Sequence, residues 1–596
     1  MTDNSDSTDP DRAWWKEAVV YQVYPRSFND SDGDGVGDLR GVVEKVPYLD
    51  DLGVDILWLS PVYDSPMHDN GYDIRDYRAI ADEMGTMADW EDLRDALHER
   101  GMRLVMDLVV NHTSSQHEWF QKSRRRDEGY DEFYYWRDPD ENGDPPNNWI
   151  SLFGGSAWTY DDERDQYYLH LFDESQPDLN WRNPEVRERI YETIRWWMEK
   201  GVDGWRMDAI SLISKEEGLP DTDLETDWFG AEFFNGPRIH EYIRELYDEA
   251  LSDYDCVTIG ETPGVTMEQA REYSRDGMDM LVHFDHMDVT YGPGGKWSID
   301  HLDLDALAAS DDPGDLLDEW DLRDLKEVMG KWQDGLESEG WNSLYLGSHD
   351  QARVVSRFGD DGEYHRESAT LIATFLLTMR ATPFVYQGDE IGMTNVEWES
   401  LEECRDVEAV GHARKLMDRY DCDFEDISSV VTHRSRDNAR TPVQWSADET
   451  AGFTEGEPWI KVNDDADRIN VEEARADSES VWHYYRELIE LRGDEEVLVY
   501  GDYDLLFPDH EQIYAYTRTL ADEDRADGRT TGERTDAERA LVVLNWSEES
   551  ARFELPDEVA VGDPRLLASN YDDTPADPTA LDLRPYEATV YRLSSG

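Results

Sequence analysis

Cysteine is nearly absent from this chain: three among 596 residues, Cys256, Cys404 and Cys422. An odd number at wide spacing supports neither a disulfide framework nor a thiolate metal site, and a reducing, cytoplasmic compartment is expected. Long hydrophobic runs are missing too. No stretch approaches the roughly 18 apolar residues of a membrane-spanning helix. Met1 to Arg12 is polar and acidic, where a secretory signal is basic and then apolar. Positive charge is scarce: 56 Lys and Arg stand against 138 Asp and Glu, a net charge of −82. Such a chain repels phosphate and anionic headgroups, which excludes nucleic acid and membrane as partners.

What is present is apolar material for a large core. The hydrophobic fraction is 39%, with 22 Trp and 31 Tyr, so wholesale disorder is excluded. The acids are spread along the chain and not gathered in a tail. That leaves a cation-binding protein or a surface adapted to multimolar salt, where the screening length falls to about 3 Å. The second reading is favoured.

Short apolar runs alternate with helical patterns. Ala18 to Tyr24, Ile56 to Leu59 and Leu104 to Val110 read as buried strands, separated by helices over Val42 to Leu52 and Met87 to Arg100. The alternation stops at Thr113 and resumes at the helix Pro184 to Lys200, with Pro in its first turn. Gly204 to Met207, Cys256 to Gly260, Met280 to Phe284, Ser343 to Gly347 and Pro383 to Tyr386 supply five more strands. Eight strands close naturally into an α/β (β/α)8 TIM barrel. The expected organisation is an acidic leader, 1–12; a barrel, 13–112 and 177–495; a β-rich insert after strand 3, 113–176; and a C-terminal antiparallel β domain, 496–596. Residues 395–475 read as a long polar excursion, Ser478 to Arg492 as a closing helix, and Ala521 to Arg539 as a charged, mobile loop.

Barrel enzymes work at the C-terminal ends of their strands. There the sequence places Asp208 after strand 4, Glu261 after strand 5 and Asp350 after strand 7, so three carboxylates converge on one mouth. Cleaving a glycosidic bond takes two flanking carboxyls, and a third can stabilise a cationic transition state. Arg206 precedes Asp208 by two residues and shares its strand face, where its charge is expected to keep Asp208 ionised.

These segments resemble the α-amylase superfamily, glycoside hydrolase family 13. The resemblance rests on Asp107-Leu-Val-Val-Asn-His112, Gly204 to Asp208, Ile259-Gly-Glu261 and Ser348-His-Asp350. Gln176-Pro-Asp-Leu-Asn180, Phe234 to Tyr242 and Arg436 to Trp445 are similar to the oligo-1,6-glucosidase and α-glucosidase branch. The acid excess resembles that of halophilic, haloarchaeal members. The resemblance implies Asp208 as nucleophile, Glu261 as general acid and then base, and Asp350 as transition-state stabiliser. It implies that His112 and His349 bind glucose hydroxyls, that Tyr72 stacks on the ring, and that Asp69 and Arg440 pair to close the pocket. Phe153, Phe172 and Gln176 would wall it; Asp73 and Asp107 would be scaffold. Ser348, Ala381 and Asp389 depart from the usual Asn, Gly and Glu.

The run Asp30-Ser-Asp32-Gly-Asp34-Gly-Val36-Gly-Asp38 places hard oxygen donors around Gly turns, which suits Ca²⁺, or Mg²⁺ with more water. The resemblance implies Asp30, Asp32, Asp34, the Val36 carbonyl and Asp38 as ligands of a structural ion. No organic cofactor is expected. The implied activity is a retaining, exo-acting α-glucosidase on small oligosaccharides. Ala209, directly after the nucleophile, resembles α-1,4 enzymes, where Val marks α-1,6 ones; maltose is therefore the expected substrate, with oligo-1,6-glucosidase, trehalose-6-phosphate hydrolase and sucrose-acting relatives as alternatives. Non-catalytic transporter heavy chains of the superfamily have a membrane helix and lack the acids, and a purely sugar-binding protein has no use for them.

Overall fold

The computed structural model describes residues 12–593 apart from 224–231, 292–294, 300–301, 303–316, 318–319, 337–338, 522–537 and 560. The expected leader therefore lies outside the described residues except for Arg12, which is fixed: its guanidinium pairs with Glu496 at 3.0 Å and lies 4.5 Å from the centre of the Tyr500 ring. Most of the 521–539 loop also lies outside them.

Eight parallel strands form one sheet: β1 (Val20–Val23), β2 (Ile56–Leu59), β3 (Arg103–Val109), β4 (Gly204–Asp208), β5 (Val257–Glu261), β6 (Met280–Val282), β7 (Ser343–Tyr345) and β8 (Thr382–Tyr386). Their order is β6-β5-β4-β3-β2-β1-β8-β7. A parallel bridge between Leu281 and Asn342 joins the two edges and closes the barrel, and Ser343 Oγ donates to Leu281 O across the seam at 2.7 Å. Each labelled strand except β3, whose first residue is half-buried, is buried along its whole length. That is why they read as continuous apolar runs and not as alternation.

Helix ends follow their caps. Leu39–Leu52 starts three residues before its expected first residue because Asp38 accepts from Gly41 N; it stops at Gly53, whose φ of 98° only glycine adopts freely. Met87–His98 opens on a Thr86/Asp89 capping box, Pro184–Glu199 on Asn183, and the closing helix Val481–Asp494 on Ser480.

The insert carries a three-stranded antiparallel sheet of Trp136–Arg137, Gln166–Leu169 and Trp158–Asp161. At the C-terminus, β9 (Asp502–Leu506), β10 (Ile513–Leu520), β11 (Glu538–Asn545), β13 (Arg565–Ser569) and β15 (Ala588–Leu593) form a sheet in the order β9-β10-β11-β15-β13. β12 (Ala551–Glu554) pairs with β14 (Ala580–Leu583), and Leu541, Val543, Phe553, Leu581 and Tyr591 pack into one core.

The 395–475 segment differs from its reading as a polar excursion. It contains helices Val407–Tyr420 and Ser428–Arg434 around a core that it shares with Ile299 and Leu317, with Trp398, Leu416, Ile427, Val430 and Val431 buried. No helix among the described residues is long and apolar enough to cross a membrane, and all three cysteines are free.

Candidate active site

β4 and β5 run in parallel register, Gly204 opposite Val257 and Met207 opposite Gly260. Their last residues, Asp208 and Glu261, therefore reach the mouth at nearly the same height. Arg206 lies between them. Its Nη1 donates to Asp208 Oδ1 at 2.6 Å and to Asp107 Oδ1 at 2.8 Å, and its Nη2 donates to Glu261 Oε1. Glu261 Oε2 also accepts from Ala209 N at 2.7 Å. Ala209 takes a left-handed φ of 45° directly after Asp208. Asp107 is scaffold in position as well as by expectation: it is wholly buried, and its Oδ2 accepts from Trp58 Nε1 at 2.8 Å.

One guanidinium thus serves three buried carboxylates. Burial pushes both Asp208 and Glu261 up to about 7, against the pull of Arg206. Arg206 pulls Asp208 toward the ionised form, as expected, but its single charge is divided among three acids and burial outweighs it. Both carboxyls therefore change charge near neutrality.

Asp350 follows β7 in a different field. Burial alone would raise it, but the charges of Arg436, with Nη1 at 3.1 Å, and Arg440, with Nη2 at 3.5 Å, hold it well below the usual carboxylate range, with His349 Nε2 beside it at 3.2 Å. His349 itself is neutral, since burial lowers it to about 3. Gln22 Nε2 donates to its Nδ1 at 2.7 Å, leaving the hydrogen on Nε2, which faces the Tyr72 hydroxyl at 2.6 Å. The Tyr72 and His349 rings stack at 5.2 Å, 4° apart.

The insert supplies the opposite wall. Gln176 Nε2 donates to Asp69 Oδ2 at 3.0 Å and lies 3.2 Å from His112 Nε2. Phe172 packs on His112 with ring centres 5.0 Å apart, and Phe153 packs edge-on against Phe172. Burial lowers His112 to about 4, so it too is neutral. Asp69 sits in a tight turn with left-handed Met67 and Asn70; Asp73 holds that turn by accepting from Ser65 Oγ, His68 N and Asp69 N.

All nine expected substrate-facing residues belong to this assembly, with one change of partner. The cation nearest Asp69 is Arg436, at 3.6 Å. Arg440 instead faces Asp350 and, at 3.7 Å, Asp406, and its Nε donates to His349 O. Arg436 and Asp406 were not picked from sequence. The available signal was the Arg436-Asp-Asn-Ala-Arg440 spacing, which puts two guanidiniums one helical turn apart and so on one side.

At the Asp30–Asp38 loop, the carboxylates of Asp30, Asp32 and Asp38 bring oxygens within 4.8 Å of one another. Asp34 is not among them; its carboxylate accepts from Val36 N at 2.8 Å. Asp30 also accepts from Gly33 N and Gly35 N, and Asp38 caps the first long helix.

Residues 22–501 match the family model described as the alpha amylase catalytic domain. The chain belongs to the α-amylase family. It is a glycosidase. Among its relatives, an oligo-1,6-glucosidase of Parageobacillus thermoglucosidasius is 50% identical over 98% of this chain and 99% of its own. An alpha-glucosidase of Pediococcus pentosaceus is 43% identical over 98% and 99%. Among solved structures, a mutant of the trehalose-6-phosphate hydrolase of Bacillus licheniformis superposes with a TM-score of 0.89 at 41% identity, covering 98% of this chain and all of that one.

Proposed function

We propose that this family member is a retaining, exo-acting α-glucosidase that releases glucose from the non-reducing end of short oligosaccharides, α-1,6-linked ones first. The glucosidase chemistry is carried by one observation, the single guanidinium of Arg206 holding Asp208 and Glu261 at its two ends. That span is compatible with the roughly 5–5.5 Å carboxyl separation of retaining enzymes. Asp208 would attack the anomeric carbon while the carboxyl of Glu261 gives its proton to the departing oxygen. A glycosyl ester on Asp208 results. Glu261, now a carboxylate, takes a proton from water, which opens the ester and returns α-glucose. Asp350, kept anionic, faces the cationic transition state. Exo action is supported by the Asp69, Gln176 and His112 group, backed by Arg436, which closes one end of the pocket.

The linkage order rests on the relative named oligo-1,6-glucosidase at 50% identity over nearly the whole chain, which weighs against the maltose expectation. The α-1,4 reading is kept as second because Ala209, small and beside Glu261, leaves room at the next sugar. Product analysis on isomaltose, maltose, sucrose, trehalose and trehalose 6-phosphate side by side separates these readings. Preferential turnover of maltose would reverse the order. A β-anomer as first product would exclude retention.

The converging Asp30, Asp32 and Asp38 oxygens fit a hard divalent cation, with Asp34 and the Val36 carbonyl as further expected donors. Such an ion would brace the loop after β1 and supply no chemistry to the sugar. Adaptation to high salt rests on the net charge of −82.

A further inference from the structure

Behind Asp350 lies a charged cluster that the reaction does not use directly. Asp406 is wholly buried and caps helix Val407–Tyr420, accepting from Glu408 N at 3.0 Å and Ala409 N at 3.3 Å. Its Oδ1 also accepts from Arg436 Nε at 3.0 Å and from Nη2 at 2.6 Å. Glu408 Oε2 lies 3.2 Å from the same Nε. Glu408 is pinned in turn by Lys296 Nζ at 3.0 Å and Trp297 Nε1 at 2.8 Å. The Nε edge of the Arg436 fork is thereby taken up from behind. Nη1 alone is left for Asp350 Oδ1, at 3.1 Å.

We propose that Asp406 is a positioning residue for the reaction, fixing Arg436 so that it presents one N–H, and not its fork, to Asp350. The proposal rests on the glucosidase reading. Arg436 stands among four carboxylates, Asp69, Asp350, Asp406 and Glu408. A guanidinium free to turn would engage Asp350 in a two-point pair, the strongest arrangement open to it. That pair would neutralise the negative charge which the cationic transition state needs. With the Nε edge held by Asp406, Arg436 keeps Asp350 ionised while leaving most of its field directed at the sugar. The helix beginning at Asp406 adds its own positive end to the same point.

The test is a double-mutant cycle with Asp406→Asn and Arg436→Lys, on p-nitrophenyl α-glucoside and on isomaltose. Asn caps helices about as well as Asp, so the fold is expected to persist. kcat should fall about tenfold or more, the scale seen when an outer partner of a working group is lost. KM should stay within about twofold, because the lost interaction acts in the transition state. With Lys at 436 there is no fork to hold, so adding Asp406→Asn should cost little more. An unchanged kcat in a folded Asp406→Asn enzyme overturns the proposal, as do a loss confined to KM or losses that simply multiply in the double variant. Should Asp406→Asn fail to fold, Glu408→Gln decides: it loosens the same Nε edge from its other partner, and an undiminished kcat refutes the positioning role. Failure of the glucosidase reading looks different, because the unmutated enzyme would then be inert on both substrates.

Discussion

At the scale of single residues, the site is governed by how few positive charges face many buried acids. Asp208 and Glu261 share Arg206, and burial pushes both to about 7. The pH dependence follows with a definite sign. As pH rises through that value Glu261 loses the proton it must donate, so turnover falls on the alkaline side. As pH falls through it Asp208 gains a proton and ceases to be a nucleophile, so turnover falls on the acid side too. A bell-shaped kcat/KM profile with its summit near neutrality is expected. Asp208→Asn should lower turnover about a thousandfold or more; retention of a few per cent would move the nucleophile elsewhere. Glu261→Gln should spare substrates with good leaving groups. Ala209 makes a separate prediction. Val in its place must take a left-handed φ that β-branched residues avoid, and it adds bulk beside Glu261. The isomaltose-to-maltose ratio of kcat/KM should rise about tenfold, since a methylene in a pocket is worth roughly 1–3 kcal/mol. An unmoved ratio removes Ala209 as the determinant of linkage.

At the scale of elements, the barrel and the C-terminal domain are joined through an arginine that has no carboxylate partner within hydrogen-bond reach among the described residues. Arg518 of β10 is wholly buried and donates to the carbonyls of Thr378, Leu498, Val499 and Gly501. These include the C-terminal carbonyls of helices His365–Thr378 and Glu496–Tyr500, which have no partner within their own helix. Arg518→Met keeps the length and loses every donor. The orphaned carbonyls should cost about 3 kcal/mol or more, read as a lower denaturant midpoint with the catalytic constants of the surviving native enzyme unaltered. A midpoint that does not move would show that water can replace the guanidinium.

At the scale of the whole molecule, a net charge of −82 makes the chain repel itself. Molar salt cuts the reach of that repulsion to about 3 Å, and ions excluded from the surface strengthen apolar burial. Stability and activity should therefore be greatest above about 1 M KCl. Added Ca²⁺ should raise the thermal midpoint at low salt by binding the folded state at Asp30, Asp32 and Asp38, and a chelator should reverse the gain. Melting curves that are flat from low to multimolar salt would remove the salt-adapted reading.

Eight apolar runs at the right intervals determined the barrel, because strands buried on both faces must be apolar throughout. The ends of those runs pointed to Asp208, Glu261 and Asp350, because chemistry in this fold lies where strands stop. Other features were decided only in three dimensions. The helical core of 395–475 hides in a polar stretch, since its apolar members, such as Trp398, Leu416 and Ile427, are set among charged and polar residues. The partner of Asp69 turned out to be Arg436 and not Arg440, because two arginines one turn apart look alike in sequence. The ionisation of Asp208 could not be read from its neighbour Arg206 either. Asp107 and Glu261, 99 and 55 residues away from that arginine, draw on the same charge. Local spacing shows which groups can meet, but a charge is divided among all the groups that the fold brings to it.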